Sequence, residues 1–415
     1  MRTGKHKVSG KQRLVVLATL LVVCGIASVT SAAAVEGAVY AWGDNSVGQL
    51  GNGTTATRWQ PMVVSGLDRG VTAVAAGGVR FSFAIQDGSL YAWGNGNWGN
   101  LGLGNITSSS TPRLMSEMTE GVTTVAAGYV HGMATQGGKL YAWGENLRSE
   151  LGLGHNSPRN TPQLVTVSES ERDVTAIAAG TYYSLAIQGG KLYAWGANTN
   201  GQLGVGNTTL YNTPQLVTVS ESEGDVTAVA AGWNHSLAIQ DGRLYTWGDN
   251  AGGKLGRGGN GTIPLPVEGM DSGVTAIAAG HIASMAVMDG HAYQWGSVMG
   301  TNYATPQKVA GLPNNIVEVA VEFYNSSSFY ALGADGVLWA WGNNQYGQLG
   351  VELGFGTTTW IKEPQRVGGD EGLTFSSISV GYGFVLAVGG TPIPEPASLL
   401  LLSAGAAGLL SRRRK

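Results

Sequence analysis

Two glycine-rich segments have the residue spacing of nucleotide-binding loops. Residues 94–99 match the G-x-G-x-x-G pattern of dinucleotide sites, and residues 248–254 come close to a P-loop. No helical pattern follows the first segment, so it lacks the helix N-terminus that binds a phosphate. Leu255 stands where the second segment would need a serine or threonine for magnesium. Neither segment predicts a nucleotide site, and both coincide with a loop that recurs along the chain.

The histidines give no better support for catalysis or metal binding. His131 and His235 occupy one recurring position that is filled elsewhere by phenylalanine, tyrosine or alanine, which is typical of packing. His155, His281 and His291 have no cysteine, histidine or carboxylate cluster at metal-ligand spacing. No nucleophile, base and orienting group recur together. We therefore expect a protein that is not an enzyme and that has neither a metal nor a cofactor.

The strongest pattern in the sequence is a repeat of about fifty residues. Each unit contains a Trp-Gly pair, and successive pairs are 46 to 52 residues apart. The units follow one another without a linker, so we expect one closed domain, although length alone would suggest two or three. The seven tryptophans are Trp42, Trp93, Trp143, Trp195, Trp247, Trp295 and Trp341.

Each repeat contains four short segments that are typical of β-strands, which we name A to D. Strand A reads Val-Thr-Ala-Val-Ala-Ala-Gly, as at residues 71–77, and strand B reads His-Ser-Leu-Ala-Ile-Gln, as at residues 235–240. Strand C contains Tyr-Ala-Trp-Gly, and strand D, Thr-Pro-Gln-Leu-Val, follows a long loop with Gly-Gln-Leu-Gly. Small residues in strand A fit the narrow centre of a propeller, and the aromatic residues of strand C pack between blades.

The phase of the repeat indicates how the ring closes. The first unit begins with strand C at residues 38–43, and the last one ends with strands A and B at residues 375–388. One blade is therefore split between the two ends of the domain, which removes free sheet edges. The unit around Trp295 lacks Gly-Gln-Leu-Gly, so we expect a short loop between its strands C and D.

These repeats resemble the RCC1 (regulator of chromosome condensation) family across residues 38–389. The resemblance implies an all-β fold, a seven-bladed β-propeller of four-stranded blades in a domain at residues 35–390. The eukaryotic namesake is a nuclear exchange factor for a small GTPase, which an exported acidic domain would not meet. Exported RCC1-like propellers such as the β-lactamase inhibitor protein are the closer functional analogue, and they bind another protein through one face of the ring.

Residues 1–34 have the layout of a secretory signal peptide. Basic residues precede an apolar run at residues 14–29, and small residues follow at residues 31–34. The run is shorter than the ~20 residues that span a bilayer, which favours cleavage after Ala33 or Ala34 over a retained transmembrane helix. Cys24, the single cysteine of the chain, lies in this run, so we expect no disulfide in the mature domain.

Residues 391–415 contain Pro394, Glu395 and Pro396, then an apolar run at residues 397–410, and then Arg412, Arg413, Arg414 and Lys415. This order resembles the PEP-CTERM sorting signal of Gram-negative bacteria that make extracellular polysaccharide. The resemblance implies passage through the export machinery, transient membrane contact and processing by an exosortase-type enzyme. An ordinary transmembrane anchor is the alternative. We therefore expect the protein at the cell envelope, at the surface or outside the cell.

The charge of the domain between these signals argues against nucleic acid as a partner. The two ends hold nine of the 24 basic residues and one of the 27 acidic residues, which leaves a net charge of about −11 on residues 35–390. Such a surface repels phosphate groups.

Strand order predicts which loops share a face of the ring. The A-to-B and C-to-D loops lie on one face, and the short B-to-C turns lie on the other with the D-to-A connections. The first face is rich in rings and varies between repeats, as recognition surfaces do, although packing of these rings on one another is the alternative. The candidate partner-binding residues are Trp98, Tyr129, Tyr182, Trp233, His281, Phe323, Tyr324, Tyr346 and Tyr382.

Protein recognition by this face is the function that we favour. A carbohydrate-binding protein of the exopolysaccharide matrix is the alternative, because aromatic rings also stack on sugars. An exchange-factor activity by family analogy and a hydrolase are both disfavoured by the absence of suitable residues and by the expected location.

Overall fold

The computed structural model describes residues 20–23, 26–29, 37–323, 328–353, 356, 360–369 and 372–390. Seven antiparallel sheets of the repeat unit follow one another around a ring, which confirms the seven-bladed propeller predicted from the sequence. We number the blades by their tryptophans, so that blade 1 contains Trp42 and blade 7 contains Trp341. Strand A is innermost in each blade and strand D is outermost.

The first half of the chain contributes sixteen strands in the described residues. A hairpin of β1 (Leu20–Val23) and β2 (Ile26–Val29) precedes strands C and D of blade 1, β3 (Ala38–Gly43) and β4 (Arg58–Val63). Blade 2 contains β5 (Val71–Ala76), β6 (Phe81–Gln86), β7 (Ser89–Gly94) and β8 (Ser109–Leu114). Blade 3 contains β9 (Val122–Ala127), β10 (His131–Gln136), β11 (Lys139–Gly144) and β12 (Arg159–Val165). Blade 4 contains β13 (Val174–Ala179), β14 (Tyr183–Gln188), β15 (Lys191–Gly196) and β16 (Tyr211–Val217).

The second half completes the ring. Blade 5 contains β17 (Val226–Ala231), β18 (His235–Gln240), β19 (Arg243–Gly248) and β20 (Gly261–Pro266), with a 3-10 turn at Ala251–Gly253. Blade 6 contains β21 (Val274–Ala279), β22 (Ala283–Met288), β23 (His291–Val298) and β24 (Thr301–Lys308). Blade 7 contains β25 (Ile316–Val321), β26 (Ser328–Gly333), β27 (Leu338–Gly342) and β28 (Ile361–Arg366). Strands A and B of blade 1 are β29 (Thr374–Val380) and β30 (Phe384–Gly390).

The ring closes by pairing the two ends of the domain, as the repeat phase predicted. Strand β30 pairs along its length with β3, from Ala38 opposite Gly389 to Gly43 opposite Phe384. A bridge between Gly37 and Val71 ties the same end to blade 2. Blade 1 is thus an ordinary four-stranded sheet whose two halves come from opposite ends of the sequence.

The hairpin of β1 and β2 contacts the inner strands of several blades and pairs with blade 6 where Ile26 lies opposite Ala278. This hairpin belongs to the segment that we expect the signal peptidase to remove. Within the described ranges, no helix is both long enough and apolar enough to cross a membrane. The apolar run at residues 397–410 lies outside those ranges.

A hydrogen bond from the strand C tryptophan joins each blade to the one before it. The indole Nε1 of Trp195 donates to the carbonyl of Glu150, at 2.9 Å, and Trp42 donates to Gln348 across the closure, at 2.8 Å. The acceptor is a backbone carbonyl in the C-to-D loop of the preceding blade. Four further bonds of this kind join Trp93 to Gln49, Trp143 to Asn100, Trp247 to Gln202 and Trp295 to Lys254.

The last glycine of Gly-Gln-Leu-Gly is explained by this contact. At Gly152, a Cβ atom would lie 2.7 Å from Nε1 of Trp195, and φ is +72°. At Gly204, it would lie 2.7 Å from Nε1 of Trp247. A side chain would push the indole away from its carbonyl, so the loop sequence of one blade is set by the tryptophan of the next.

Blade 6 provides the hydrogen-bond acceptor for the tryptophan of the next blade in a different way. Its strands C and D are joined by Met299 and Gly300 alone, which confirms the short loop predicted from the sequence. No long loop is present there to offer a carbonyl to Trp341. The side-chain Oε1 of Gln294, which replaces the usual alanine before the tryptophan, accepts the indole hydrogen bond instead, at 3.1 Å.

We expect Gln294→Ala to destabilise the propeller by ~1–3 kcal/mol, because it leaves the buried indole N–H of Trp341 without its acceptor. Urea denaturation measures the change. Gln307→Ala is the matched control, since Gln307 lies opposite Gln294 on strand D but is exposed and bonds only to its own strand. Equal stability losses in the two variants would contradict the assigned role of Gln294.

Candidate functional site

The two faces of the ring differ as the strand order predicts. B-to-C turns on one face are tight and nearly uniform: Asp87, Asp241 and Asp289 have φ near +50° and each precedes a glycine with positive φ. Such two-residue turns leave little room for variation. The opposite face carries the A-to-B and C-to-D loops, which differ between blades.

Five rings from five different blades meet over the centre of this second face. Tyr129 lies 5.8 Å from Tyr182 and 5.5 Å from Trp233, measured between ring centroids. Trp233 in turn lies 4.6 Å from His281 and 6.4 Å from Phe323. These residues belong to blades 3 to 7, so rings that are far apart in sequence close the mouth of the channel. We call them the central cluster.

Gly78 of blade 2 completes the circle. A Cβ atom there would lie 2.6 Å from Cδ2 of Tyr129 and 3.0 Å from Cδ1 of Phe323. The absence of a side chain at this position lets rings from blades 3 and 7 approach each other. The alternative considered from the sequence, that these rings pack on one another, is therefore correct for part of the arrangement.

The rings differ in how much surface they offer. Phe323 is only 1 % exposed, so it supports the central cluster from within. Tyr129, Tyr182, Trp233 and His281 are half-buried and present part of each ring to solvent. Burial is the main cause that lowers the pKa of His281, and Lys254 lowers it further, so this ring is neutral at pH 7.

Blade 1 and its neighbours form a second aromatic group. Tyr346 and Tyr382 are both half-buried, and their rings meet edge to face at 6.3 Å. The guanidinium of Arg80 lies 4.3 Å from the Tyr382 ring centroid, and its Nε forms a 2.6 Å ion pair with Asp44. Tyr324, the remaining predicted ring, lies outside the described residues.

Arg80 was missed by the sequence analysis, although a signal was present. The A-to-B loop of blade 2 is one residue longer than the loop that contains Tyr129, and Arg80 is the additional polar residue. Its φ of +67° is unusual for a residue with a side chain. The ion pair and the ring contact hold the guanidinium between blades 1 and 2.

Trp98 belongs to neither aromatic group. It is 41 % exposed and lies in a groove of about 450 Å³ between the C-to-D loops of blades 2 and 3. Ile106 and Leu147, 65 % and 62 % exposed, line the same groove. Glu145 and Arg159 add charged groups to its wall. We call this the Trp98 groove, and it brings three large, exposed apolar side chains together.

The two repeat-position histidines are packing residues, as their replacement pattern indicated. Nε2 of His131 lies 2.9 Å from Oγ of Ser184, and this hydroxyl donates to the carbonyl of Glu150. The ring must therefore carry its hydrogen on Nε2. Burial lowers the pKa of His131 to about 3 and that of His235 well below its usual value, so both rings are neutral. Among the described residues, no group of three or more His, Cys, Asp or Glu could hold a metal ion.

Comparison with known families agrees with this geometry. The profile of the RCC1-like domain matches residues 4–303, and that of the regulator of chromosome condensation (RCC1) repeat matches residues 335–388. The chain belongs to the RCC1-like family. Residues 392–415 match the PEP-CTERM protein-sorting motif, which indicates export to the cell surface in bacteria.

Relatives of this RCC1-like protein differ widely in size and role. Ultraviolet-B receptor UVR8 of Arabidopsis thaliana is 31% identical over 231 residues, which cover 55% of this chain and 52% of the receptor. The mitochondrial RCC1 domain-containing protein RUG3 of the same plant is 28% identical over 75% of this chain and 79% of its own length. The human E3 ubiquitin-protein ligase HERC2 is 30% identical over 86% of this chain, but that is 8% of the ligase. The chain thus spans about half of the receptor and a small part of the ligase.

Solved structures show the same fold. Yeast RCC1 (Prp20), in its complex with Kap60, superimposes with a TM-score of 0.76 at 20% identity and covers 96% of this chain and 99% of its own. Human WBSCR16 gives 0.73 at 20% identity, with coverage of 85% and 100%. At these identities the likeness shows the propeller and nothing about its ligand.

We expect His131→Phe to leave stability near pH 7 almost unchanged, because phenylalanine fills this position at Phe81 and Phe384. The folded-state pKa of His131 is depressed, so its neutral ring contributes stability that is lost as pH falls from 6.5 towards 3, about 5 kcal/mol. In denaturant titrations, the variant should not show this part of the loss of stability at acidic pH. His291→Phe, at a half-exposed turn, should keep the full acid dependence, and identical curves for wild type and His131→Phe would refute the assignment.

Proposed function

We propose that this is an exported, surface-sorted binding protein that recognises a protein partner through the face bearing the central cluster and the Trp98 groove. The observation that carries the proposal is the contrast between the faces. One has near-identical turns, and the other carries aromatic residues that differ from blade to blade.

The chemistry of this face suits protein recognition. Tyrosine and tryptophan give large contact areas and lose few torsions on binding, and interface energy concentrates in such residues and in arginine. The central cluster is pre-organised by its own ring contacts, and Arg80 is held by Asp44 and Tyr382. Little ordering would be required when a partner binds. Yeast RCC1, which has the same fold, has been crystallised in a complex with the protein Kap60.

A polysaccharide ligand is the second candidate, and the Trp98 groove is the observation that favours it. Asn97, Asn160 and Arg159 line the same groove as the exposed indole. An aromatic plane beside polar hydrogen-bonding groups is an arrangement that can also bind a sugar ring. The binding assay must therefore include both classes of ligand.

The proposed location combines the two terminal signals. The N-terminal signal peptide would direct export, and an exosortase-type enzyme would process the chain near Pro394, Glu395 and Pro396. The basic residues Arg412, Arg413 and Arg414 would remain on the cytoplasmic side until processing. Both signals lie largely outside the described residues.

We expect Trp98→Ala to weaken partner binding at least ~30-fold, the effect of an anchor worth ~2 kcal/mol. The ring is substantially exposed, so the melting temperature should change little. The partner is first isolated by pull-down with the wild-type propeller, in parallel with a glycan array, and affinities are then measured by calorimetry. Lys191→Ala, in an exposed B-to-C turn of the opposite face, is the control that should bind normally. Normal binding by Trp98→Ala together with weak binding by Lys191→Ala would show that the partner binds the opposite face.

Changing Glu395 to alanine should leave the C-terminal segment attached and keep the chain in the membrane fraction. Mass spectrometry of the wild-type extracellular protein should find no peptide that contains residues 412–415. Detection of those residues in the released wild-type protein would show that the segment is an anchor or a tail without processing.

A further inference from the structure

One position in the C-to-D loops follows a common hydrogen-bonding rule. At Gln49 and Gln348, the amide oxygen accepts from the backbone N–H two residues earlier, at 3.0 and 2.8 Å. The amide nitrogen then faces the side chain that follows Trp-Gly. Nε2 of Gln49 donates to Asp44 at 2.9 Å, and Nε2 of Gln348 donates to Asn343 at 3.2 Å. The buried side chain therefore pins the start of the loop at two points.

Blade 3 departs from this rule because it has glutamate at both positions. Oε2 of Glu150 accepts from the backbone N–H of Arg148 at 2.8 Å, as the glutamines do. Oε1 then takes the place of the amide nitrogen, which in blades 1 and 7 donates to the side chain that follows Trp-Gly, and in blade 3 the residue at that position is Glu145. Glu150 is 0 % exposed, and within the described residues Oε1 has no hydrogen-bond partner.

Blade 5 shows how the chain neutralises a carboxylate at the same place. Lys254 occupies the position of Glu150, and its ammonium lies 2.7 Å from Asp249, the counterpart of Glu145. Blade 2 places Asn100 there, which donates to the carbonyl of Asn95. Each of these side chains supplies a donor that an ionised Glu150 lacks. A protonated carboxyl has the shape and the donor of glutamine.

We propose that, below neutral pH, Glu150 is protonated in the folded protein and donates its hydrogen to Glu145, which makes the C-to-D loop of blade 3 a pH-sensitive part of the binding face. The carboxyl of Glu150 replaces the amide of the other blades in both of its hydrogen bonds. Loss of the proton puts two carboxylates against each other at the base of the segment that carries Leu147 and Arg148.

The surrounding charges agree with this arrangement. Burial is the main cause that raises the pKa of Glu150 to about 7; its own backbone N–H and that of Arg148 lower it, the nearby Glu145 raises it, and the Arg148 guanidinium lowers it. Burial also raises the pKa of Glu145. His131, on strand B of the same blade, contacts Ser184, and its ring is neutral. From blade 4, Ser184 and Trp195 donate to the Glu150 carbonyl and do not titrate in this range.

The sign of the pH effect follows from linkage. The folded-state pKa of Glu150 lies above the unfolded value of about 4.5, so the folded chain holds the proton more tightly. Stability from this group is intact below about pH 4.5 and falls as the pH rises through about 7. The loop borders the Trp98 groove, so at alkaline pH the groove should lose its fixed shape. Only this last step rests on the proposed function.

The test compares melting temperatures of the wild type, Glu150→Gln and Glu145→Gln between about pH 5 and about pH 8.5. Glu150→Gln should match the wild type at about pH 5 and exceed it by at least ~3 °C at about pH 8.5, because glutamine keeps the donor when the wild type has lost it. Glutamine is native at this position in three blades, so the variant should fold. Glu145→Gln should also flatten the alkaline decline, since its amide can donate to an ionised Glu150.

Glu169→Gln, the same chemical change at an exposed site, is the control that should follow the wild type. A difference between Glu150→Gln and the wild type that is constant across the pH range would overturn the proposal, as would no difference at all. Adding calcium chloride distinguishes neutralisation of the two glutamates by a proton from neutralisation by a metal ion. If it raised the wild-type melting temperature at about pH 6 as much as at about pH 8.5, a cation would neutralise the pair in place of the proton. Because the readout is stability, a failed search for a partner would leave this result unaffected.

Discussion

The hydrogen bond between each strand C indole and the loop of the preceding blade is the interaction on which the ring depends. It joins neighbouring sheets that share no strand pairing, and it does so in the buried space between them. The bond needs a carbonyl at a fixed height, a loop long enough to deliver it, and a glycine that leaves room for the ring. Loop length, glycine position and tryptophan position are therefore one constraint, and in blade 6, where the loop is missing, a side-chain oxygen of Gln294 replaces the carbonyl.

This constraint explains why so much of the fold could be predicted from the sequence. The glycines and tryptophans recur because every blade meets the same neighbour, and the split blade follows from the phase of the repeat. The acceptor role of Gln294 could not be predicted in the same way, because it depends on what the adjacent blade lacks. Arg80 was missed for a related reason: its contacts with Asp44 and Tyr382 join residues that are distant in sequence and meet only when the ring closes.

The candidate site was predicted as a set of rings on one face, and its internal order required the structure. Sequence position showed that Tyr129, Trp233 and Phe323 follow strand A, but not that they contact each other across the channel. Trp98 was assigned to the same set, and it lies apart in a groove with Ile106 and Leu147. Repeats are informative about the average blade. The features that distinguish this protein from that average, such as glutamate at both Glu145 and Glu150, appear as departures from the pattern.

The pairing of β3 with β30 also orders events in time. Strand β3 is among the first parts of the domain to leave the ribosome or to cross a membrane, and its partner β30, ending at Gly390, is among the last. A chain exported in an unfolded state cannot complete its ring until nearly all of it has crossed, so the contact that locks the domain forms last. The sorting motif begins at residue 392, directly after that strand. In a chain exported in this way, ring closure would therefore come at the same stage as arrival of the sorting motif at the membrane.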